Sequence, residues 1–182
     1  MRSAIHRIAF GLAVIVSTAA SAQDTIKIGL VNEATGPNAE AGIYTVNGAR
    51  LALEEINAAG GVLGKKVELK LEDNQSTNPG TVLAFSKLFG EKNIVAIIGP
   101  IRSTQTQAAS PTIAKAGVPV AVGGTDPSLT KVNNRWLFRA RPSDSYSSRV
   151  IADFGVNTLQ KKKWAIIHST DAFGAGGMNA LV

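Results

Sequence analysis

The chain has 182 residues, of which 45% are hydrophobic, and its 19 basic and 13 acidic residues give a net charge of +6. Apart from the run Lys161, Lys162 and Lys163 the basic residues are scattered, which excludes the clustered Lys and Arg pattern typical of nucleic-acid-binding proteins. Because the sequence contains no cysteine, it also excludes disulfide bonds, a lipoprotein anchor and cysteine-ligated metal sites.

The first 22 residues have the pattern of a secretory signal peptide. Two arginines precede an apolar run at residues 8–16, which is too short to span a bilayer, and an A-x-A pattern ends at Ala22. We expect cleavage after Ala22 and a periplasmic mature chain that begins at Gln23, with an uncleaved anchor as the alternative. The remaining 160 residues, with 17 basic and 13 acidic residues, have a net charge of +4 and are enough for about one domain.

The mature sequence is predicted to begin with a strand, a helix and a strand. Residues 26–30 and 67–71 alternate apolar and polar side chains, which is the period of a strand. Between them, apolar residues from Ile43 to Ile56 recur every three or four positions, as on one face of a helix. Gly60 and Gly61 then supply the left-handed cap that ends such a helix.

The same order of elements is repeated downstream. We expect Asn78 to cap a helix with Pro79 in its first turn, followed by an unbroken apolar strand at residues 94–98. A helical stretch at 103–116, interrupted by Pro111, precedes another apolar strand at 118–122. Strands separated by helices predict an α/β fold with a doubly wound parallel sheet.

The composition changes after Val122. A loop, a short segment at 136–139 and a turn at 142–144 are interpreted as a crossing between two lobes. A helix at 145–159, a strand at 164–168 and a glycine-rich turn at 173–177 would begin a second α/β lobe. We therefore predict a signal peptide at 1–22, a ligand-binding lobe at 23–140, and a hinge crossing with the truncated start of a second lobe at 141–182.

The sequence carries no catalytic or metal-binding pattern. The glycines of residues 60–66 have the wrong spacing for a phosphate-binding loop, and those at 174–177 do not match a dinucleotide fingerprint. The mature chain has a single histidine, His168, and no G-x-S-x-G motif surrounds a serine. We expect neither enzymatic activity nor a bound metal or cofactor.

Polar groups follow the two most apolar strands, where ligands bind in open α/β sheets. Ser103 and Thr104 open the predicted helix after residues 94–98, so that free N–H groups and hydroxyls face an anion. After residues 118–122, Gly123 exposes a carbonyl that can accept from an ammonium, and Thr125 adds a hydroxyl. The two loops together suit an α-amino acid. Alternatively, Ser103 is only a helix cap and Thr125 only a turn residue.

The sequence resembles the periplasmic binding proteins for leucine, isoleucine, valine and related solutes, which have the type I binding-protein fold. The resemblance covers residues 23–182 and extends well beyond the two polar loops. It includes the strand at 26–30, the acidic pair at 72–73, and the residues Thr35, Gly36, Pro37, Gly48, Ala49, Leu53, Ile56, Asn57, Gly60, Gly61, Gly64, Gly99, Ser103, Thr125 and Leu129.

The resemblance implies that Ser103, Gly123 and Thr125 hold the carboxylate and the ammonium of an amino acid. Phe173 takes the place of an aromatic residue, often tyrosine, that closes over the ligand from the second lobe. Ala41 occupies a position where members often carry a bulky aromatic residue against the ligand side chain. The identity of the preferred side chain therefore stays open.

The implied function is delivery of branched-chain amino acids, or related small carboxylates, to an ABC importer. The expected partners are this ligand and the permease and ATPase complex at the inner membrane, with the binding protein acting as a monomer. A truncated form of such a receptor is expected. A ligand-sensing regulator of the same fold and a non-functional remnant are the alternatives, and the predicted signal peptide favours transport.

Overall fold

Five parallel strands form one sheet in the computed structural model, which describes residues 25–182. The order across the sheet is β2-β1-β3-β4-β5, so the chain moves outward from β1 in one direction and then returns to add strands on the other side. This arrangement confirms the predicted α/β class with a doubly wound parallel sheet. The strands are β1 (Ile26–Asn32), β2 (Val67–Asp73), β3 (Ile94–Ile98), β4 (Val120–Val122) and β5 (Leu137–Arg139).

Helices connect or follow these strands along the described part of the chain. A short 3-10 helix at Pro127–Thr130 lies between β4 and β5, and a π-helical segment at Phe154–Thr158 continues α4. None of these helices is both long and apolar enough to cross a membrane. The α-helices are α1 (Ala39–Ala58), α2 (Asn78–Gly90), α3 (Ser103–Ala116), α4 (Asp144–Asp153) and α5 (Ala172–Leu181).

The main hydrophobic core lies where α2 and α3 pack against the sheet. Ile97, Val120 and Leu137 lie side by side on neighbouring strands, and all three are buried. The Phe85 ring from α2 is fully buried and stacks on Phe89 with 5.7 Å between ring centroids. The complete buried cluster is Val31, Ala84, Phe85, Leu88, Ile97, Ala109, Ile113, Val120, Val122 and Leu137.

Helix α1 packs against β1 and β2 and is fixed at both ends by asparagine side chains. Near its start, the Asn32 amide donates to the Gly42 carbonyl at 3.0 Å. Near its end, Asn57 accepts from the Val67 N–H at 2.8 Å and donates to the Val67 carbonyl at 2.9 Å. These bonds satisfy backbone groups at the beginning of β2 and hold the helix in place on the sheet.

Two predicted helix details are wrong. The N-cap of α2 is Thr77, whose hydroxyl accepts from the Gly80 N–H at 3.0 Å, and Asn78 is the first helical residue. Helix α3 continues through Pro111 without interruption. Its buried residues Ala109 and Ile113 lie on either side of the proline, and their packing in the core outweighs the lost backbone donor.

The segment at 136–139, which the sequence predicts to be part of a crossing between lobes, lies mostly in the first sheet. Residues Leu137–Arg139 form β5, and Phe138 pairs with Ala121 of β4. The preceding strand is also shorter than predicted, because only residues 120–122 of the 118–122 run pair with a neighbour. The first sheet therefore extends to Arg139, next to the predicted boundary at residue 140.

The elements after Arg141 differ most from the predictions. The expected helix at 145–159 is α4 followed by the π-helical segment, and residues 164–168 form no strand. A strand requires a neighbour for its ladder hydrogen bonds, and within residues 25–182 none pairs with this segment. The expected turn at 173–177 lies inside α5, because Asp171 caps the helix by accepting from the Gly174 N–H at 2.9 Å.

The π-helical segment has a specific contact with the segment that follows it. The Trp164 indole lies directly on Gly155, and a methyl group at that glycine would collide with the ring. The Lys161 N–H donates to the Gly155 carbonyl at 2.9 Å, which folds the chain back on the helix. The division into lobes at residue 140 stays a prediction, and the predicted signal peptide lies outside the described residues.

Candidate ligand-binding cleft

A cleft of about 200 Å³ opens at the carboxyl ends of β3 and β4. The start of α3, the loop after β4 and the start of α5 form its walls. The structure thus brings together all five residues predicted for the site, although their contact with a ligand stays a prediction. The lining residues are Ile101, Arg102, Ser103, Thr104, Gly123, Thr125, Arg141, Asp171 and Phe173.

Ser103 joins the two strand-end loops. Its side chain is buried, and its Oγ accepts from the N–H groups of Thr125 at 3.1 Å and Asp126 at 3.2 Å. The alternative that Ser103 is a helix cap is wrong, because Arg102 occupies the N-cap position and Ser103 is the first helical residue. With two N–H groups on its oxygen, the Ser103 hydroxyl still has one hydrogen to donate.

Thr125 presents an unsatisfied hydroxyl beside this bond. The residue is only 8% exposed, and its Oγ1 has no hydrogen-bond partner among the described residues. Burying a hydroxyl without a partner is unfavourable by about 1 to 3 kcal/mol. A ligand atom in the cleft would remove this penalty, whereas a simple turn residue would not need its hydroxyl there.

Gly123 allows the two loops to approach closely. Its N–H donates to the Pro100 carbonyl at 2.9 Å, and a Cβ at this position would lie 3.0 Å from the Cα of Ile101. The Gly123 carbonyl accepts no hydrogen bond from residues 25–182. It therefore has a free lone pair for a donor, and its contact with a ligand ammonium stays a prediction.

The N-terminus of α3 supplies further donors. Thr106 is the first residue of this helix whose N–H bonds backward, to the Arg102 carbonyl at 3.0 Å. The N–H groups of residues 103–105 precede this bond, in the part of a helix where backbone donors have no intrahelical partner. Together with the helix dipole, they form an environment that favours an anion.

Helix α5 contributes the opposite wall. The Asp171 carboxylate accepts from Ser169 Oγ at 2.6 Å and from Thr104 Oγ1 at 3.4 Å, in addition to its capping bond to Gly174. The backbone bond from Gly174, followed by the bond from Ser169, lowers the pKa of Asp171 below its usual value, so the carboxylate is charged at neutral pH. Phe173, in the first turn of α5, is 53% exposed and lines both this cleft and a neighbouring cavity.

Sequence reasoning missed four lining residues: Ile101, Arg102, Arg141 and Asp171. The Arg102 guanidinium donates to Asn38 Oδ1 at 2.7 Å. Arg141 follows β5, and recognition of residues 137–139 as a strand would have placed it at the carboxyl edge of the sheet. Ala41, implied to face the ligand side chain, is exposed on α1 and is not part of this cleft.

A buried polar cluster lies at the end of β1, near Arg102. Glu33 is 1% exposed, and neither of its carboxylate oxygens has a hydrogen-bond partner among the described residues. Burial raises the pKa of Glu33, and the charge of Arg102 and the nearby amides of Gln105 and Asn74 oppose this effect. Within residues 25–182, no group of three His, Cys, Asp or Glu side chains is placed to hold a metal.

This combination of a parallel sheet and a polar cleft at its carboxyl edge is typical of solute-binding lobes. Residues 25–182 match the model of a family of periplasmic binding proteins, and the chain belongs to that family. An amino acid binding protein of Pseudomonas aeruginosa is 31% identical over 170 residues, which cover 93% of this chain and 46% of that protein.

Two solved structures show the same fold in complexes with small carboxylates. A branched-chain amino acid transporter substrate-binding protein of Streptococcus pneumoniae, in complex with isoleucine, has a TM-score of 0.70 and 36% identity over 75% of this chain and 39% of that one. A solute-binding protein of an ABC transporter from Rhodopseudomonas palustris, in complex with 3,4-dihydroxybenzoic acid, has a TM-score of 0.77 and 25% identity. The match covers 86% of this chain and 42% of that one. The predicted type I fold is confirmed, and the chain spans less than half the length of each protein named.

Proposed function

We propose that this chain forms part of a periplasmic solute-binding protein that delivers an amino acid, or a related small carboxylate, to an ABC importer. The observation that carries this proposal concerns Thr125, which lines the cleft near the N-terminus of α3 and whose buried hydroxyl has no hydrogen-bond partner among residues 25–182. The isoleucine and dihydroxybenzoic acid complexes of the related structures support a carboxylate as the common feature of the ligands.

The geometry suggests a division of roles in binding. A ligand carboxylate would accept from the free N–H groups of α3 and from the hydroxyls of Ser103 and Thr125. An ammonium, where the ligand has one, would donate to the Gly123 carbonyl. The Phe173 ring would cover the ligand and exclude water from these bonds.

The proposed role is binding without catalysis. The single histidine of residues 23–182, His168, is exposed and contacts the Ser169 carbonyl through Nδ1 at 2.8 Å. It does not border the cleft, and within residues 25–182 neither the Ser103 nor the Thr125 hydroxyl donates to a carboxylate or an imidazole that could activate it. Unchanged ligand recovered after prolonged incubation would agree with this role, and a converted product would contradict it.

The proposal includes export and a partner in the membrane. We propose that the signal peptide is removed after Ala22 and that the monomeric mature protein docks on the permease and ATPase complex. Cell fractionation followed by amino-terminal sequencing tests the first step. A periplasmic protein beginning at Gln23 is expected, whereas retention of residues 1–22 in the cytoplasm would contradict the transport role.

Ligand binding can be tested by NMR on residues 23–182 labelled with ¹⁵N. Leucine, isoleucine, valine and benzoate are added in turn, and shifts are expected at the amides of Ser103, Thr104 and Thr125. Thr125→Val is the matched variant, because it removes only the hydroxyl and should weaken binding about tenfold to a hundredfold. If no carboxylate shifts these amides at millimolar concentrations, the proposed function is wrong.

A further inference from the structure

Two arginines border the cleft in addition to the groups considered above. Arg102, the N-cap residue of α3, and Arg141, in the segment after β5, both line it. Neither arginine forms an ion pair with an acidic residue among residues 25–182, and the partner of Arg102 is the neutral amide of Asn38. In this part of the chain, no carboxylate therefore lies in direct contact with either guanidinium group.

The acidic residues nearby cancel only part of these charges. Asp171 also borders the cleft, and its charged carboxylate offsets one of the two positive charges. Asp144, three residues after Arg141, lines a neighbouring cavity with His168. Burial of Glu33 raises its pKa and so favours the neutral acid, which reduces its compensation of Arg102.

The hydrogen-bonding groups of the cleft have the same bias toward an anion. The Ser103 oxygen is occupied by two backbone N–H groups, so its hydroxyl can only donate to a ligand. The free N–H groups of α3 are also donors, and the helix dipole adds partial positive charge. Against these donors, the acceptors that line the cleft include the Gly123 carbonyl, the Thr125 hydroxyl and the Asp171 carboxylate.

We propose that Arg102 and Arg141 are specificity-determining residues that select a ligand with net negative charge, a carboxylate whose charge is not cancelled by an ammonium on the same molecule. An acidic amino acid, a dicarboxylate or a simple carboxylate has this chemistry. This inference rests on the proposed function and narrows its ligand class to molecules with net negative charge. A neutral zwitterion such as leucine would bring its ammonium into a site that already has an excess of positive charge and of donors.

Two matched ligand pairs test this selectivity on residues 23–182. Leucine and 4-methylpentanoate share one carbon skeleton but differ in the ammonium, and glutamine and glutamate differ in one carboxylate. We expect 4-methylpentanoate to bind more tightly than leucine, and glutamate more tightly than glutamine, with each preference decreasing as salt is added. Equal affinities within both pairs would overturn the proposal.

Arginine variants show which residues cause the preference for the anionic ligand. Arg102→Gln and Arg141→Gln should each reduce the preference for the anionic member of a pair, by up to about fivefold, as expected for a solvent-exposed charge pair. Arg50→Gln is the control, because Arg50 is exposed on α1, borders no part of this cleft and changes the net charge by the same amount. Preferences that survive in both cleft variants would overturn the assignment.

The outcomes also separate this inference from the proposed function. If no member of either pair shifts the amides of Ser103 and Thr125, the binding site itself is wrong. If leucine binds as tightly as 4-methylpentanoate and both contact these amides, the site is right and the charge selectivity is wrong. Amide spectra without ligand show whether each variant retains the wild-type fold.

Discussion

The sheet region and the segment after Arg141 differ sharply in how they bury their apolar side chains. In the first region, Phe85 and Ile113 are fully buried between the helices and the sheet. In the second, Val150, Phe154 and Ile167 are 68%, 53% and 100% exposed. The cleft lies where the two regions meet, so a densely packed part supplies most of its polar groups and a loosely packed part supplies Asp171 and Phe173. We therefore expect changes in the first region to affect stability most.

The largest expected difference in stability is between two phenylalanine variants, one in each region. Phe85→Ala should lower the free energy of unfolding by about 3 to 5 kcal/mol, because it leaves a cavity in the core. Phe154→Ala should lower it by less than about 1 kcal/mol, because the ring is already half exposed. Urea unfolding followed by circular dichroism measures both, and similar losses would contradict the comparison.

Ser103→Ala should have an intermediate effect. The variant leaves the N–H groups of Thr125 and Asp126 without their partner, at an expected cost of about 1 to 3 kcal/mol in unfolding free energy. Ser86→Ala is the control, since the exposed Ser86 hydroxyl bonds only to the Val82 carbonyl of its own helix. A stable Ser103→Ala variant would show that the loops do not depend on this hydroxyl.

Thr125→Val separates binding from stability. Valine has nearly the shape of threonine, and the hydroxyl that it replaces has no partner in the described part of the chain, so the unfolding free energy should stay the same or rise by up to about 1 kcal/mol. Binding of a carboxylate should weaken in the same variant. Calorimetry of ligand binding and urea unfolding on the same sample test both expectations. A loss of stability with unchanged affinity would show that the Thr125 hydroxyl serves the fold alone.

The smallest expected effect concerns Glu33 and depends on pH. A carboxyl with a raised pKa in the folded state is neutral in both states at low pH, and above the usual value of 4.5 the unfolded chain ionises first. Stability is therefore lost as pH rises from 4.5 through the folded-state pKa. Glu33→Gln should raise the melting temperature more at pH 7 than at pH 4.

The exposed Glu54 on α1 provides the control for that experiment. Glu54→Gln should change the melting temperature equally little at both pH values. The same shift for Glu33→Gln at pH 4 and pH 7 would show that packing, and not ionisation, explains any gain.

Local sequence patterns were sufficient for the sheet and for most of the cleft. Helix α1 follows from apolar periodicity and the strands β3 and β4 follow from apolar runs, and the edge at which Ser103 and Thr125 meet follows from the parallel topology. The segment at 164–168 has the composition of a strand, but strand formation depends on a pairing neighbour, which composition does not reveal. For the same reason β5, whose three residues pair only with β4, was not recognised.

The charged groups around the cleft were harder to predict because their positions depend on contacts distant in sequence. Arg102 is held by Asn38, 64 residues away, and Asp171 meets Thr104 across 67 residues. The oxygen of Ser103 bonds to backbone groups 22 and 23 residues downstream, a role that its place at a helix start does not suggest. Glu33 follows an apolar strand, and its complete burial has no signal in the local sequence.

The contact between Trp164 and Gly155 gives the protein a built-in fluorescent probe. The sequence contains two tryptophans, one in each region compared above. Trp136 is partly buried beside the core, with the Arg135 guanidinium 5.2 Å from its ring, whereas Trp164 lies on Gly155 and is 46% exposed. Replacing either indole with phenylalanine leaves an emission spectrum that reports on one region alone, so parallel titrations of the two variants can follow the loosening of the second region apart from the unfolding of the first.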